Sequence, residues 1–310
     1  MDGWRPSTKR LYSSYLRKWA TFCLEYKVSL LRPSTPQVCK FLRVLCDQGL
    51  GHGAVNTARS ALSVVLPFVN DKPIGKHYLV CLAVKGVYER FPPRPKYSVF
   101  WDVNKVFTLF NSWEANEFLT LKLLTLKVAV LMLLVSAQRG QTILNLDVFN
   151  MTMKRHFIHF GMTKLLKHNK PGDPLDSIIF KSFGDNHKLC VVHTLKTYIV
   201  RSAPHRKEQK QLLLSYIAPH KAISRDTLAR WTLTVLNLAK IDTNKYKSHS
   251  TRGAAASAAR YSGIHLNLIM KQAGWRCATS FARHYNKRIE REEAQEVSGT
   301  LLSNFQNAGN

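Results

Sequence analysis

Two arginines, a histidine and a tyrosine stand out in this sequence as residues that could do chemistry together. Arg139 follows a long apolar stretch, Arg252 comes three residues after His249, and Tyr285 comes ten residues after Trp275. Two guanidiniums can bind the non-bridging oxygens of one phosphodiester through paired hydrogen bonds that strengthen as charge develops. A phenol can serve as the nucleophile, and nearby cations favour its ionised form. The pattern indicates phosphoryl transfer on a polyanionic backbone without a metal ion.

The spacing of these residues supports a shared site, although each one also has a simpler interpretation. His249 and Arg252 can face the same point at the entry of a helix, and a lysine on a hairpin could protonate the departing oxygen. Alternatively, Arg139 complements the carboxyl end of an apolar helix. His249 is then an exposed residue, and Trp275 and Tyr285 are packed aromatic side chains. The complete order, Arg, Lys, H-x-x-R, G-W and Tyr, favours the shared site.

Other familiar catalytic patterns are missing from the sequence. There is no Gly-rich phosphate loop, no H-E-x-x-H and no G-x-S-x-G. Asp and Glu number only 19 and form no cluster suited to a two-metal nuclease. The six cysteines form no C-x-x-C pair, which argues against a zinc site and for reduced thiols. We therefore expect neither a metal nor a cofactor.

The charge of the chain indicates a polyanionic partner. Its 310 residues include 46 Lys and Arg, which leaves a formal net charge of +27, and 45% are hydrophobic, which is enough for a core. Nucleic acid is the first candidate partner and an anionic membrane the second. No signal peptide is visible at the amino terminus. The apolar stretch 118–137 contains Lys122 and Lys127, so we expect a buried helix in a soluble, intracellular protein rather than a membrane span.

Apolar residues three or four apart predict four helices before a proline-rich interruption. They cover Leu11 to Tyr26 behind caps at Ser7 and Thr8, Ser34 or Thr35 to Gly49, Ala54 to Leu66, and His77 to Glu89. The prolines at 92, 93 and 95 cannot continue a helix and mark a linker.

Beyond the linker the chain is mainly helical, with one hairpin. Helices are predicted near 103–113, 118–135, 189–200, 224–239, 250–261, 266–273 and 279–285. The β-prone runs 154–163 and 174–180 flank turn residues Asn169, Pro171 and Gly172, which indicates a small antiparallel sheet. The polar tail from Lys287 to Asn310 includes a predicted helix holding Glu290, Glu292, Glu293 and Glu296.

Over nearly its whole length the chain resembles tyrosine recombinases of the phage-integrase type. Among them it is most similar to the recombinases of DIRS-like and Ngaro-like retroelements and of Cryptons. The segments 4–9 and 12–23 are similar to the start of the family's core-binding domain, and 101–106 to the start of its catalytic domain. The resemblance implies a mainly α fold with a small antiparallel β-sheet. It implies these parts: a helical core-binding (SAM-like) DNA-binding domain at 1–90, a linker at 91–97, a catalytic domain at 98–300 and a tail at 301–310.

The resemblance also assigns roles to individual residues. Those matching the family's catalytic positions are Arg139 as the first arginine, His249 and Arg252 as the H-x-x-R box, Trp275 at a position that is His or Trp, and Tyr285 as the nucleophile. The run Lys167-His168-Asn169-Lys170-Pro171-Gly172 is similar to the hairpin motif, which makes Lys167 the catalytic lysine and Lys164 the second choice. Many bacterial members have Glu where this chain has Thr142.

The function implied is site-specific DNA strand exchange for integration of a mobile element. The partner is double-stranded DNA, cut and rejoined through a 3′-phosphotyrosyl intermediate by a homo-tetramer, with a dimer on each site. Neither ATP nor metal is needed, and resemblance to eukaryotic enzymes implies the nucleus. Two alternatives stay open: a monomeric type IB topoisomerase-like enzyme, and a non-catalytic domesticated DNA-binding protein.

Overall fold

The chain folds into two compact units, described here from a computed structural model. The units are Met1–Lys96 and Tyr97–Asn310. The structure describes residues 3–166, 177–184, 186–275, 278–285 and 287–290. Over these residues, no helix combines the length and the apolar character that crossing a membrane requires.

The first unit is helical and contains one short hairpin. Its elements are α1 (Pro6–Glu25), α2 (Thr35–Asp47), α3 (His52–Val65), β1 (Phe68–Val69), β2 (Lys72–Pro73), a 3₁₀ turn (Ile74–Lys76) and α4 (Tyr78–Arg90). Its core is formed by apolar side chains from all four helices, among them Trp19, Phe22, Phe41, Leu45, Val55, Leu62, Val80 and Val84. The four predicted helices are confirmed.

The ends of these helices follow local capping chemistry. At α2 the Ser34 hydroxyl accepts from the backbone of Gln37, and the Gln37 side chain accepts from the Ser34 amide at 2.8 Å, which is a capping box. At α1 the predicted caps are wrong, because the helix already begins at Pro6, one residue before Ser7. Proline suits the first helical turn, since its fixed φ is helical and it lacks an N–H that would be unpaired there.

The second unit surrounds one apolar helix. Its elements are β3 (Val99–Trp101), α5 (Asn104–Ser112), α6 (Leu121–Ser136), α7 (Gly140–Leu144), a 3₁₀ turn (Val148–Asn150), β4 (Met151–Met153), β5 (Phe157–Gly161), β6 (Ser177–Lys181), α8 (Val191–Arg206), α9 (Arg225–Leu238), α10 (Ser250–Tyr261), α11 (Leu266–Ala273), α12 (Ala278–His284) and β7 (Arg288–Glu290). Helix α6 packs against α8, α9 and α10 and is buried on all sides from Leu124 to Leu134. The prediction of a buried core helix is confirmed.

The two predicted strands of the antiparallel sheet are β5 and β6, and β4, which was not predicted, pairs with β5 as a third strand. Strand β5 pairs with β6 so that Ile158 lies opposite Phe180 and Phe160 opposite Ile178. These four side chains are buried and alternate with more exposed neighbours, as expected for a sheet with one face on the core. The turn residues between the two strands lie outside the described residues.

A second pairing, between β3 and β7, was not predicted. The two strands are parallel, with Phe100 opposite Ile289 and Trp101 opposite Glu290. The predicted tail helix is wrong at Glu290, because Glu290 ends strand β7, and Glu292, Glu293 and Glu296 lie outside the described residues. Its carboxylate accepts a hydrogen bond from the Tyr246 hydroxyl at 2.8 Å and pairs with Lys245 at 3.0 Å. These contacts, with the burial of Ile289, stabilise an extended chain.

Candidate active site

Helix α10 carries two of the predicted site residues and is built from small side chains. His249 is its N-cap residue, and Arg252 lies in its first turn. A Cβ atom added at Gly253 would lie 2.1 Å from Cζ of Phe100, so the Phe100 ring lies directly against the helix backbone. Only glycine permits this approach. The small side chains Ala254–Ala256 continue the buried face.

A buried hydrogen bond fixes the start of α10 relative to β3. The indole Nε1 of Trp101 donates to the Oγ atom of Ser250 at 2.9 Å, and both residues are 1–2% exposed. A buried indole N–H needs such an acceptor. Because Ser250 lies between His249 and Arg252, this bond holds the H-x-x-R segment against the sheet.

Arg252 is a buried cation, only 1% exposed. Its guanidinium carbon lies 3.9 Å from the centre of the Trp275 ring, within the range of a cation–π interaction. Within the described ranges, no hydrogen bond of ordinary geometry reaches its Nε, Nη1 or Nη2 atoms. Burial lowers the pKa of Arg252, the charge of Arg139 lowers it further, and the Tyr285 phenol raises it by a smaller amount. Such a cation is arranged to receive an anion.

Tyr285 brings its ring into the same cluster. It is half-buried and follows α12, whose residue Phe281 accepts from the Tyr285 amide at 2.8 Å. Its ring centre lies 5.6 Å from the Arg252 guanidinium carbon and 4.7 Å from the centre of the Trp275 ring. The His249 ring, on an exposed side chain, lies 6.5 Å away from the Tyr285 ring in an edge-on arrangement. The phenol therefore has histidine, tryptophan and arginine around it.

Arg139 approaches the cluster from the end of the core helix. Helix α6 ends at Ala137, which has a left-handed conformation with φ of 49°. Arg139 is then the N-cap residue of α7 and is half-buried. It opens α7 and does not belong to the last turn of α6. Its charge acts on Arg252, so the two guanidiniums lie near one another.

Trp275 is placed by the sharp end of α11. Gly274 ends that helix in the left-handed conformation with φ of 69°, and the Trp275 amide donates to the carbonyl of Met270 at 2.9 Å. This is the usual way in which a glycine terminates a helix. The Trp275 ring is 8% exposed, and its Nε1 atom has no hydrogen-bond partner among the described residues. A second buried donor therefore lies beside Arg252.

The structure treats the two lysine candidates differently. Lys167 lies outside the described residues, as does the rest of the run 168–172. Lys164 is described and is exposed, two residues before the buried Leu166. The choice between the two lysines stays a prediction. Within the described ranges, no group of three or more His, Cys, Asp and Glu side chains is arranged to hold a metal ion.

Several residues that support the cluster were missed by the sequence analysis. The side-chain Nε2 of Gln138 donates to the carbonyl of Gln272 at 2.7 Å, which ties the Arg139 segment to the segment before Trp275. The Ser257 hydroxyl donates to the main-chain carbonyl of Tyr285. Neither residue belongs to a motif, and their partners are far away in sequence. Sequence alone therefore does not mark either residue as part of the site.

Comparison with known proteins supports the fold. No protein-family model matches the chain, and no curated protein matches it. Solved structures do match. The post-cleavage complex of the XerH site-specific recombinase bound to palindromic difH substrate matches with a TM-score of 0.59 and 12% identity, over 87% of this chain and 74% of that chain. The pre-cleavage XerH complex matches with a TM-score of 0.59 and 14% identity, over 93% and 78%.

A third match is nearly complete in both chains. The Tn1549 transposon integrase, in complex with transposon right end DNA, matches with a TM-score of 0.60 and 10% identity. The match covers 97% of this chain and 95% of that chain. The fold is therefore that of the tyrosine recombinases and integrases, which confirms the predicted mainly α architecture with a small antiparallel sheet; the pairings β1–β2 and β3–β7 are additional to it.

Proposed function

We propose that this protein is a DNA strand-exchange enzyme, a site-specific tyrosine recombinase that cuts and rejoins duplex DNA with Tyr285 as its nucleophile. The observation that carries the proposal is the buried guanidinium of Arg252. It is stacked on Trp275, has its N–H groups without hydrogen bonds of ordinary geometry from the described residues, and lies 5.6 Å from the Tyr285 ring. A phosphate would satisfy these donors.

The electrostatics of the cluster favour the transition state of phosphoryl transfer. Arg139 and Arg252 repel one another in the DNA-free protein, which is part of why the pKa of Arg252 is lowered. A phosphodiester between them would remove this repulsion. Its non-bridging oxygens gain negative charge as the nucleophile attacks, so the two cations bind the transition state more strongly than the ground state.

The reaction has two balanced steps. The Tyr285 oxygen attacks phosphorus and loses its proton to solvent, and a 3′-phosphotyrosyl bond forms as the bond to the 5′ oxygen breaks. That leaving oxygen takes a proton from a lysine, Lys167 by the sequence motif with Lys164 as second choice. The 5′ hydroxyl of a partner strand then attacks phosphorus and returns a proton to the lysine, the bond to the Tyr285 oxygen breaks, and the phenol regains its proton from solvent. One phosphodiester replaces another, so the covalent intermediate conserves the bond energy.

Charge and fold support duplex DNA as the substrate. The net charge of +27 supplies an excess of cations for phosphate contacts, which makes binding strongly salt-dependent. The XerH and Tn1549 structures were determined with DNA. We further propose that the protein assembles as a tetramer on two sites and serves the integration of a mobile element of the DIRS, Ngaro or Crypton kind. Its place of action is then the nucleus.

Covalent trapping on a nicked substrate tests this function. The probe is a pool of radiolabelled duplexes with a randomised centre and a nick, so that cleavage next to the nick releases a short fragment and traps the protein on DNA. We expect a DNA-linked band on a denaturing gel for the wild-type protein and none for Tyr285→Phe. A non-catalytic DNA-binding protein would shift the duplexes in a native gel and form no such band, and that result would overturn the proposal.

A plasmid carrying two copies of the captured sequence separates recombination from topoisomerase activity. Strand exchange between the copies gives deletion or inversion products. A monomeric type IB topoisomerase-like enzyme would give relaxed circles with both copies in their original arrangement. That outcome would keep the phosphotyrosyl chemistry and reject strand exchange.

A further inference from the structure

Ser257 joins the helix of Arg252 to the main chain of Tyr285. It lies on α10, five residues after Arg252, and its side chain is fully buried. Its hydroxyl donates to the carbonyl oxygen of Tyr285 and accepts from the amide of Lys287 at 3.4 Å. One buried hydroxyl therefore contacts the chain on both sides of residue 286.

These contacts replace the helical bonding that ends at Tyr285. The Tyr285 amide still donates to Phe281 as the last turn of α12 requires, whereas its carbonyl has turned away from α12 to Ser257. After Lys287 the chain enters β7 and pairs with β3. Tyr285 is consequently attached to α12 before it, and to α10 and β3 through its carbonyl and the residues after it.

Helix α10 thus positions both the Arg252 guanidinium and the main chain of Tyr285. Five residues of α-helix correspond to a rise of about 7.5 Å. The Tyr285 carbonyl is bonded to Ser257, and the Tyr285 ring lies 5.6 Å from the Arg252 guanidinium carbon, so α10 supplies neighbours to both the main chain and the ring of the tyrosine. A small movement of the Tyr285 carbonyl would swing the phenol away from the cation.

We propose that Ser257 is a positioning residue that holds the nucleophile of Tyr285 in line with the phosphate bound by Arg252. This inference rests on the proposed function. Ser257 touches no reacting atom, and it acts by fixing the main chain from which the phenol projects. Holding a nucleophile at a productive angle lowers the barrier to reaction without changing how strongly the DNA binds.

The test compares two nucleophiles at one phosphate. The substrate is the nicked duplex captured by the wild-type protein. With Tyr285 as nucleophile, we expect Ser257→Ala to lower the single-turnover cleavage rate about tenfold, the typical effect of one net hydrogen bond, with unchanged DNA affinity. Ser257→Thr, which keeps the hydroxyl, should recover most of the rate. In a Tyr285→Ala background with hydrogen peroxide as the nucleophile, Ser257→Ala should leave the cleavage rate unchanged, because no phenol has to be positioned.

The matched control removes another buried hydroxyl that donates to a main-chain carbonyl. Thr232 on α9 bonds to Leu228 at 2.8 Å, and Thr232→Val should cleave at the wild-type rate. Equal losses of tyrosine-dependent and peroxide-dependent cleavage in Ser257→Ala would mean that Ser257 shapes the phosphate site, and would overturn the inference, as would no loss in either. If wild-type protein and the peroxide reaction both give no cleavage, the proposed function itself fails.

Discussion

The guanidinium carbon of Arg252 lies 3.9 Å from the centre of the Trp275 ring, and both side chains are buried. The aromatic face stabilises the charge while using none of its N–H groups. A carboxylate at this position would pair with the guanidinium and compete with a substrate phosphate. Tryptophan instead holds the cation in place and leaves its donors for the phosphate of the proposed substrate.

Removing the Trp275 ring should therefore weaken catalysis more than binding. A desolvated cation–π interaction is worth about 2 kcal/mol, so we expect Trp275→Ala to lower the cleavage rate about 30-fold. Trp275→Phe keeps an aromatic face but loses the Nε1 donor, and its cleavage rate should lie between the rates of the wild-type protein and Trp275→Ala. Single-turnover trapping measures the rates, and filter binding measures affinity. Equal rates for Ala and Phe would show that the ring face has no effect on Arg252.

Arg252→Met should make the DNA-free protein more stable and inactive. The buried cation is repelled by Arg139 and has no hydrogen bond of ordinary geometry from the described residues. An apolar side chain of similar length removes the free-energy penalty of this buried charge. Each kcal/mol added to the free energy of unfolding raises Tm by about 2–4 °C in a domain of this size. We expect a rise of at least about 2 °C by calorimetry, and no covalent product. Arg225, whose side chain is 82% exposed, provides the control Arg225→Met with an unchanged Tm. A lower Tm for Arg252→Met would show that the cation stabilises the fold.

Lys127 should make stability rise with pH in the alkaline range. It is fully buried in α6, and its Nζ has no hydrogen-bond partner among the described residues. Burial, followed by the charge of Lys188, lowers the pKa of Lys127 from 10.5 to about 8, which Glu117 partly opposes. The unfolded chain thus binds more protons between about pH 8 and 10.5, so stability rises through this window. Below about pH 8, where Lys127 is charged in both states, its burial lowers the free energy of unfolding by the full amount of about 3 kcal/mol.

Lys127→Met removes this dependence and should stabilise the protein at pH 7 by about 2–3 kcal/mol. Urea unfolding at several pH values measures both effects. The exposed Lys122 on the same helix is the matched control, and Lys122→Met should leave the pH dependence of the free energy of unfolding unchanged. Loss of stability in Lys127→Met at pH 7 would contradict the interpretation.

Tyr285 should act on the phosphate held by its own subunit. Ser257 and the pairing of β3 with β7 tie the chain on either side of Tyr285 to the unit that contains Arg252. A mixture of Tyr285→Phe and Arg252→Ala proteins should therefore give no more covalent product than the separate proteins. Wild type mixed with Tyr285→Phe is the positive control. Product restored in the first mixture would show that the tyrosine is delivered to a neighbouring subunit.

Local signals predicted most of the helices, and distant contacts account for what was missed. The capping box at Ser34 and the apolar spacing in α1 to α4 act within a few residues, so the sequence reveals them directly. Strand β7 has three residues and only Ile289 is buried, which is too short for an alternating pattern to be visible. Its partner β3 lies at the other end of the unit, and no spacing rule connects the two.

The site shows the same division between local and distant information. The residue types and their order predicted which side chains could act together, and the structure places Arg139, His249, Arg252, Trp275 and Tyr285 in one cluster. The bond from Trp101 to Ser250 and the bond from Ser257 to Tyr285 depend on how separate elements pack. Hydroxyls of this kind are common in helices, so sequence alone does not mark them.

Because β3 pairs with β7, the proposed active site is completed only after nearly all of the second unit has been synthesised. Val99 is synthesised near the start of its unit, and its partner Arg288 follows all the other strands of that unit that the structure describes. Until β7 has paired, the main chain after Tyr285 lacks its connection to β3. With the proposed function, we expect a chain terminated before Arg288 to bind DNA but to form little covalent product, because the segment that follows the nucleophile is then not attached to β3.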